Sequence, residues 1–142
     1  MHDDVAAHAA GGTLYVVATP IGNLSDLGQR AAAVLRAVTC VAAEDTRVTH
    51  RLLSHLGARP AMLAAHAHNE PEAARRVVER LARGESVALV TDAGTPALSD
   101  PGTRIVAASH EAGFAVVPVP GPSAATAMLS ASGLGGGGRF RF

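Results

Sequence analysis

The feature that most constrains this fold is a series of short, unbroken apolar runs, each separated from the next by a segment of helical length. "TLYVVA" (Thr13–Ala18), "TCVAAE" (Thr39–Glu44), "SVALVT" (Ser86–Thr91) and "AVVPV" (Ala115–Val119) are continuous rather than alternating. That is the pattern of strands covered on both faces. "AMLAAH" (Ala61–His66) is a shorter run of the same kind. Between them lie "QRAAAVLRAV", "TRVTHRLLSHLG", "NEPEAARRVVERLARG" and "GTRIVAASHEAG", with "SAATAMLSASG" after the last strand. The first of these helices is expected to turn Ala33, Val34, Ala37 and Val38 inward. The second should close at Gly57. The third should open on a capping signal at Asn69, Pro71 and Glu72 and stop at Gly84. Strands alternating with helices predict an α/β fold: a mostly parallel sheet with helices on both faces. Residues 1–12 read as a flexible leader, 13–134 as the folded domain, and 135–142 as a Gly-rich linker.

Composition narrows the function classes. The chain has 142 residues, 48% of them apolar, with 12 basic and 12 acidic residues and no net charge. That is enough for a domain with a real core, and it lacks the overall basic excess of a free-standing nucleic-acid binder. All the basic residues are Arg, which removes Walker A loops and every lysine-based mechanism. The single Cys40 lies in an apolar run and reads as a core residue, so no internal disulfide is available, in keeping with a cytoplasmic setting. No run has membrane-spanning length, so no membrane partner is expected. His66, His68 and Glu70 lack the further ligands of a metal site, and none is expected. Gly133, Gly135 and Gly138 match G-x-G-x-x-G only formally, since no helix follows them.

Three Gly/Pro loops follow strands: "ATPIGN" (Ala18–Asn23), "TDAGTPALSDPG" (Thr91–Gly102) and "PVPGPSA" (Pro118–Ala124). Glycine lets a ligand approach the main chain, and proline fixes φ and stiffens that approach. In parallel sheets ligands bind beyond the carboxyl ends of the strands, so the three loops together point to a composite small-molecule pocket. Glu44, Asp45 and Arg47 stand at a further strand-to-helix turn. There Asp45 can cap the helix, or the cluster can form a polar wall of the pocket.

The blocks "LYVVATPIGNLSDLGQRA", "VAAEDTRVTHRLLSHLG", "HNE", "VALVTDAGTPALSDPG" and "VVPVPGPSAATAMLSASGL" resemble, in order and spacing, the rRNA-methylating members of the tetrapyrrole methylase-like (class III) methyltransferases. The resemblance runs from about Leu14 to Leu134. It implies transfer of a methyl group from S-adenosyl-L-methionine to the ribose 2′-hydroxyl of a cytidine in the decoding region of 16S rRNA within the small ribosomal subunit. It also implies a homodimer of two-domain subunits, of which this chain is the N-terminal domain and the second α/β domain is missing. On this resemblance Pro20, Gly22 and Asn23 border the cofactor, and Asp92, Ala93, Gly94, Thr95 and Pro96 form its main cradle. Ser99, Asp100, Pro101 and Gly102 hold that loop and begin the next helix. Pro120, Gly121, Pro122 and Ser123 make the third loop. Asp45, Glu44 and Arg47 are the catalytic candidates, with Asp92 and Glu70 as further proton acceptors and Arg47 as a partner for an RNA phosphate or for its neighbouring acids. After "SASGL" the family continues with a Pro-containing turn and an F-x-F-x-G-F-like strand. Here Gly135–Gly138 replace the turn, and "RFRF" keeps Phe140 and Phe142. The alternatives are a non-catalytic cofactor-binding or dimerisation fragment, and a tetrapyrrole-precursor methyltransferase, whose corresponding loop reads G-G-D-P.

Overall fold

A computed structural model of the chain describes residues 11–98, 101–134, 137 and 141. Five strands, β1 (Thr13–Val17), β2 (Cys40–Ala43), β3 (Ala61–Ala64), β4 (Val87–Val90) and β5 (Ala115–Val119), form one sheet in the order β3-β2-β4-β1-β5. Every pairing is parallel, as the continuous apolar runs require. The helices are α1 (Gln29–Ala37), α2 (Thr46–His55), α3 (Glu70–Ala82), α4 (Thr103–Glu111) and α5 (Ala124–Ser132).

The strand order follows from handedness. The steps β1 to β2 to β3 run toward one edge through α1 and α2. The steps β3 to β4 to β5 run back the other way through α3 and α4. Right-handed crossovers in opposite directions must lie on opposite faces, and the core divides accordingly. Tyr15, Val17, Val41, Ala43, Ala88 and Val90 pack with Val34 and Leu35 of α1 and Leu52 and Leu53 of α2. The alternate residues Leu14, Cys40, Ala42, Val87 and Leu89 pack with Val77 and Leu81 of α3 and Ile105 of α4. Cys40 is a buried core residue, as expected, and burial raises its thiol above the usual range, opposed in part by Arg80.

Three local readings are revised. The buried stripe of α1 is Ala31, Val34, Leu35 and then Val38, while Ala33 and Ala37 are half-buried; the spacing i, i+3, i+4, i+7 wins over the one chosen from sequence. Asn69 occupies the N-cap position of α3, but its side chain does not cap the helix. It accepts from the His66 N–H at 2.8 Å and donates to the Ala64 carbonyl at 3.0 Å, so it bends the chain out of β3 instead. The first Gly/Pro loop contains a 3-10 turn, Leu24–Asp26, within the segment read as loop. Gly57 and Gly84 end their helices as expected, both at positive φ. Pro118 lies in β5, an edge strand, where the missing N–H interrupts no ladder. Of the leader, Gly11 and Gly12 are described, and the Gly12 N–H donates to the Glu85 carbonyl at 3.0 Å; residues 1–10 lie outside the described residues.

Candidate active site

β1 and β4 are neighbours, yet the chain leaves their carboxyl ends in opposite directions. A crevice opens between strands whose continuations diverge, and it is there that doubly wound sheets bind ligands. The first and second Gly/Pro loops emerge on its two sides. They are joined through the main chain: Thr19 N–H donates to the Gly94 carbonyl and Gly94 N–H to the Thr19 carbonyl, both at 3.0 Å. Gly94 sits at φ +88°, a conformation that suits glycine. The Thr19 hydroxyl also donates to the Thr91 carbonyl at 3.3 Å. The third loop joins the same rim, because the Thr95 hydroxyl donates to the Pro122 carbonyl at 3.0 Å. Gly121 passes so close to the end of β1 that a Cβ there would lie 2.9 Å from the Ala18 Cβ. Three loops distant in sequence thus form one bonded rim.

Two hollows flank the first loop. A recess of about 170 Å³ is lined by Thr19, Pro20, Leu24, Thr91, Asp92 and the α2 residues Val48, Thr49, Arg51 and Leu52. On the other side, an open hollow of about 520 Å³ is lined by Ile21, Asp26, Gly121, Pro122, Ser123 and α5. Pro20 and Asp92 therefore face the first hollow, and Gly121, Pro122 and Ser123 the second. Asn23 has a local task, its side chain accepting from the Ser25 N–H at 2.9 Å. Ala93, Pro96 and Pro120 belong to the loops themselves, and Gly22 stands at φ +140° with open space where a side chain would be. Ser99 and Asp100 lie outside the described residues.

The acidic residues of the rim interlock. Glu44 Oε1 accepts from the Thr91 hydroxyl at 2.8 Å, and Asp92 Oδ1 accepts from the Asp45 N–H at 3.0 Å. Asp45 caps α2 by accepting from the Arg47 N–H at 2.9 Å, and it pairs with the Arg47 guanidinium at 3.0 Å. Both readings of Asp45 hold at once: it is a helix cap and a wall of the rim. Its bonds to Arg47 hold the Asp45 carboxyl below the usual carboxylate range. Asp92 is raised instead, first by desolvation and then by the charges of Glu44 and Asp45, against the bond from the Asp45 N–H. The residue is exposed along its outer edge, while its carboxyl turns against these neighbours.

Glu70 stands elsewhere. It is 8% exposed at the start of α3, and its Oε1 accepts from the Gly102 N–H at 2.9 Å and the Arg104 N–H at 3.0 Å. It therefore caps α4, whose own N-cap residue, Gly102, has no side chain to do so. Among the described residues no group of three or more His, Cys, Asp or Glu could hold a metal ion, and no helix is long and apolar enough to cross a membrane.

The profile of the tetrapyrrole (corrin/porphyrin) methylases matches residues 13–140. The chain belongs to the tetrapyrrole methylase family. Among curated members it is 59% identical over 123 residues to the ribosomal RNA small subunit methyltransferase I of Xylella fastidiosa, covering 87% of this chain and 45% of the relative. To the protein of the same name from Escherichia coli O157:H7 it is 50% identical over 134 residues, covering 94% of this chain and 47% of that one. The chain thus spans about half the length of the curated relatives it matches. Among solved structures, the uroporphyrin-III-C-methyltransferase of Thermus thermophilus superposes with a TM-score of 0.66 at 27% identity, over 87% of this chain and 52% of that one. A cobalt precorrin-4 methyltransferase shares the fold, with a TM-score of 0.68 at 20% identity over 90% and 52% of the two chains. In this methylase the rim residues missing from the sequence reading are Thr19 and Thr91. Each is a lone hydroxyl at the end of a buried strand, the one signal that would have marked them.

Proposed function

We propose that this chain is the N-terminal half of an S-adenosylmethionine-dependent rRNA methyltransferase that acts on the ribose 2′-hydroxyl of a cytidine in 16S rRNA. The observation that carries the proposal is the bonded rim of three Gly/Pro loops at the diverging ends of β1, β4 and β5, with carboxylates set along it. Relatives at 50–59% identity carry the name of an rRNA methyltransferase, whereas the tetrapyrrole-precursor enzyme stands at 27%. That contrast favours RNA over a tetrapyrrole as the acceptor.

The rim suits such a donor in charge and in stiffness. S-adenosylmethionine supplies, when bound, an electrophilic methyl carbon on a cationic sulfonium. Asp92 and Glu44 offer negative charge beside it, and proline-stiffened main chain lowers the ordering cost of binding. The recess beside Asp92 is smaller than the roughly 300–1,000 Å³ of small-molecule sites, so a donor would reach past the first loop into the larger hollow beside Gly121–Ser123. A ribose hydroxyl is a weak nucleophile until its proton leaves. Asp92, whose carboxyl is raised by its surroundings, and Glu44 are the proton acceptors of this reading. Asp45 and Arg47, bonded to each other, position Asp92 through the Asp45 N–H. Glu70 is assigned to α4 and not to proton transfer, because both its bonds are to main chain.

Calorimetric titration of the chain with S-adenosylmethionine tests the reading, repeated on a version extended with the second half of a relative. Weak saturable binding that tightens in the extended chain is expected, with methylation of small ribosomal subunits by the extended chain alone. Absence of binding in both would overturn it.

A further inference from the structure

The chain's zero net charge conceals a one-sided distribution. From Thr46 to Asn69 there is no acidic residue, while Arg47, Arg51 and Arg59 and four histidines fall in the same stretch. On α3, across the sheet, the arginines are answered by acids: Arg75 pairs with Glu72 and Glu79, and Arg80 and Arg83 pair with Glu85. On the α1/α2 side Arg47 pairs with Asp45, but Arg36, Arg51 and Arg59 face no carboxylate among the described residues.

Geometry arranges these cations in a line. Arg47, Arg51 and His55 recur at every fourth residue of α2, so they share one face at intervals of about 6 Å. All three are exposed, as are His50, Ser54 and Arg59. Arg36 joins the far end, its Nε donating to the Leu56 carbonyl at 3.1 Å, where a cation also suits the helix terminus. The near end is the rim itself, since Asp45 is the cap of α2 and Arg51 lines the recess beside Asp92. The stripe therefore leads outward from the candidate site, along a surface with no opposing charge of its own beyond the cap.

We propose that the outward face of α2, with Arg59 and Arg36 at its far end, is the docking surface for the phosphate backbone of the RNA strand whose nucleotide enters the rim. This inference rests on the methyl-transfer reading above and adds the location of the RNA. Guanidinium groups bind phosphate bidentately and keep their charge throughout the accessible pH range. A row of them beside the reaction site fixes the strand's register while leaving base identity to be read at the rim.

The test is fluorescence anisotropy with a labelled single-stranded oligocytidine RNA, titrated with the intact chain between about 50 and 200 mM salt. The double variant Arg51→Gln, Arg59→Gln is expected to weaken binding roughly tenfold at the low-salt end and to lower the slope of log affinity against log salt by about 1.4, for two phosphates released from a single strand. Arg75→Gln with Arg83→Gln, which removes the same charge from α3, should leave the slope unchanged. Unaltered affinity and slope in the first variant, or equal losses in the second, overturn the proposal. Circular dichroism of both variants excludes unfolding as the cause. A wild-type chain that binds S-adenosylmethionine but no RNA overturns this surface alone. One that binds RNA through α2 but no S-adenosylmethionine overturns the methyl-transfer reading instead.

Discussion

Replacing Glu70 with Ala removes a single carboxylate and strands two main-chain donors on another helix. The Gly102 N–H is buried, and the Arg104 N–H lies in the first turn of α4; both donate to the same Oε1. Hydrogen bonds to a charged acceptor contribute about 1.5–3 kcal/mol each, and a buried donor left without a partner retains its desolvation cost. Part of the loss is recovered because the buried charge itself disappears. The net destabilisation of Glu70→Ala is therefore about 3–4 kcal/mol, a large share of the ~5–15 kcal/mol that holds a domain together. Glu70→Gln keeps an acceptor oxygen at the same reach, so it should cost roughly half as much. Urea unfolding measures both differences, and hydrogen exchange locates them. The Gly102 and Arg104 amides should exchange faster in Glu70→Ala than in Glu70→Gln, with the central strands β1 and β4 changed only as far as global stability falls. A loss below about 1 kcal/mol in Glu70→Ala, with those amides still protected, would refute the claim that this carboxylate caps α4.

Gly121→Ala places a Cβ 2.9 Å from the Ala18 Cβ, and such overpacking costs about 1–3 kcal/mol; a lowered denaturation midpoint with weaker S-adenosylmethionine binding is the expected result. Asp92 has a folded-state value above its ordinary 3.8, so the fold pays for its ionisation at neutral pH and recovers that cost as the pH falls through the raised value toward 3.8. Asp92→Asn should accordingly raise the melting temperature at pH 7, with the advantage vanishing below pH 3.8, while methylation by the extended chain falls. Asp45 has the opposite sign: its lowered value gives stability above 3.8 that is lost as the pH drops below it. Asp45→Ala should abolish methylation by the extended chain and leave cofactor binding measurable by calorimetry.

The fold was readable because its evidence is local. Runs such as Val87–Val90 and Cys40–Ala43 are apolar at every position, which only a strand covered on both faces explains, and Gly57 and Gly84 mark helix ends by their own backbone preference. The positions of the Gly/Pro loops followed from the strands they end. What the sequence left open was every relation between distant residues. Glu70 was a candidate proton acceptor as long as its partners, 32 and 34 residues away, were unknown. Asn69 carried a capping signature, but its side chain has a stronger use across the bend after β3. Asp45 offered two roles, and nothing in its neighbours could show that one side chain performs the first while its main-chain N–H serves the second. Net charge misled for the same reason, since summing over the chain erased the difference between the α2 and α3 sides.

The bonds that join the three loops run largely through main-chain atoms: Thr19 to Gly94 in both directions, and Thr95 to the carbonyl of Pro122. A point mutation replaces a side chain and leaves peptide groups where they were. The outline of the rim is thus inherited almost independently of what decorates it. Lineages can exchange Ile21, Ala93 or Ser123 and change what is recognised without rebuilding the frame. The exceptions are few and identifiable: Gly94 and Gly121, where any side chain alters the path of the chain itself, and Thr95, whose hydroxyl is the tie. Drift in this site should therefore be broad along the loops and nearly frozen at those three positions.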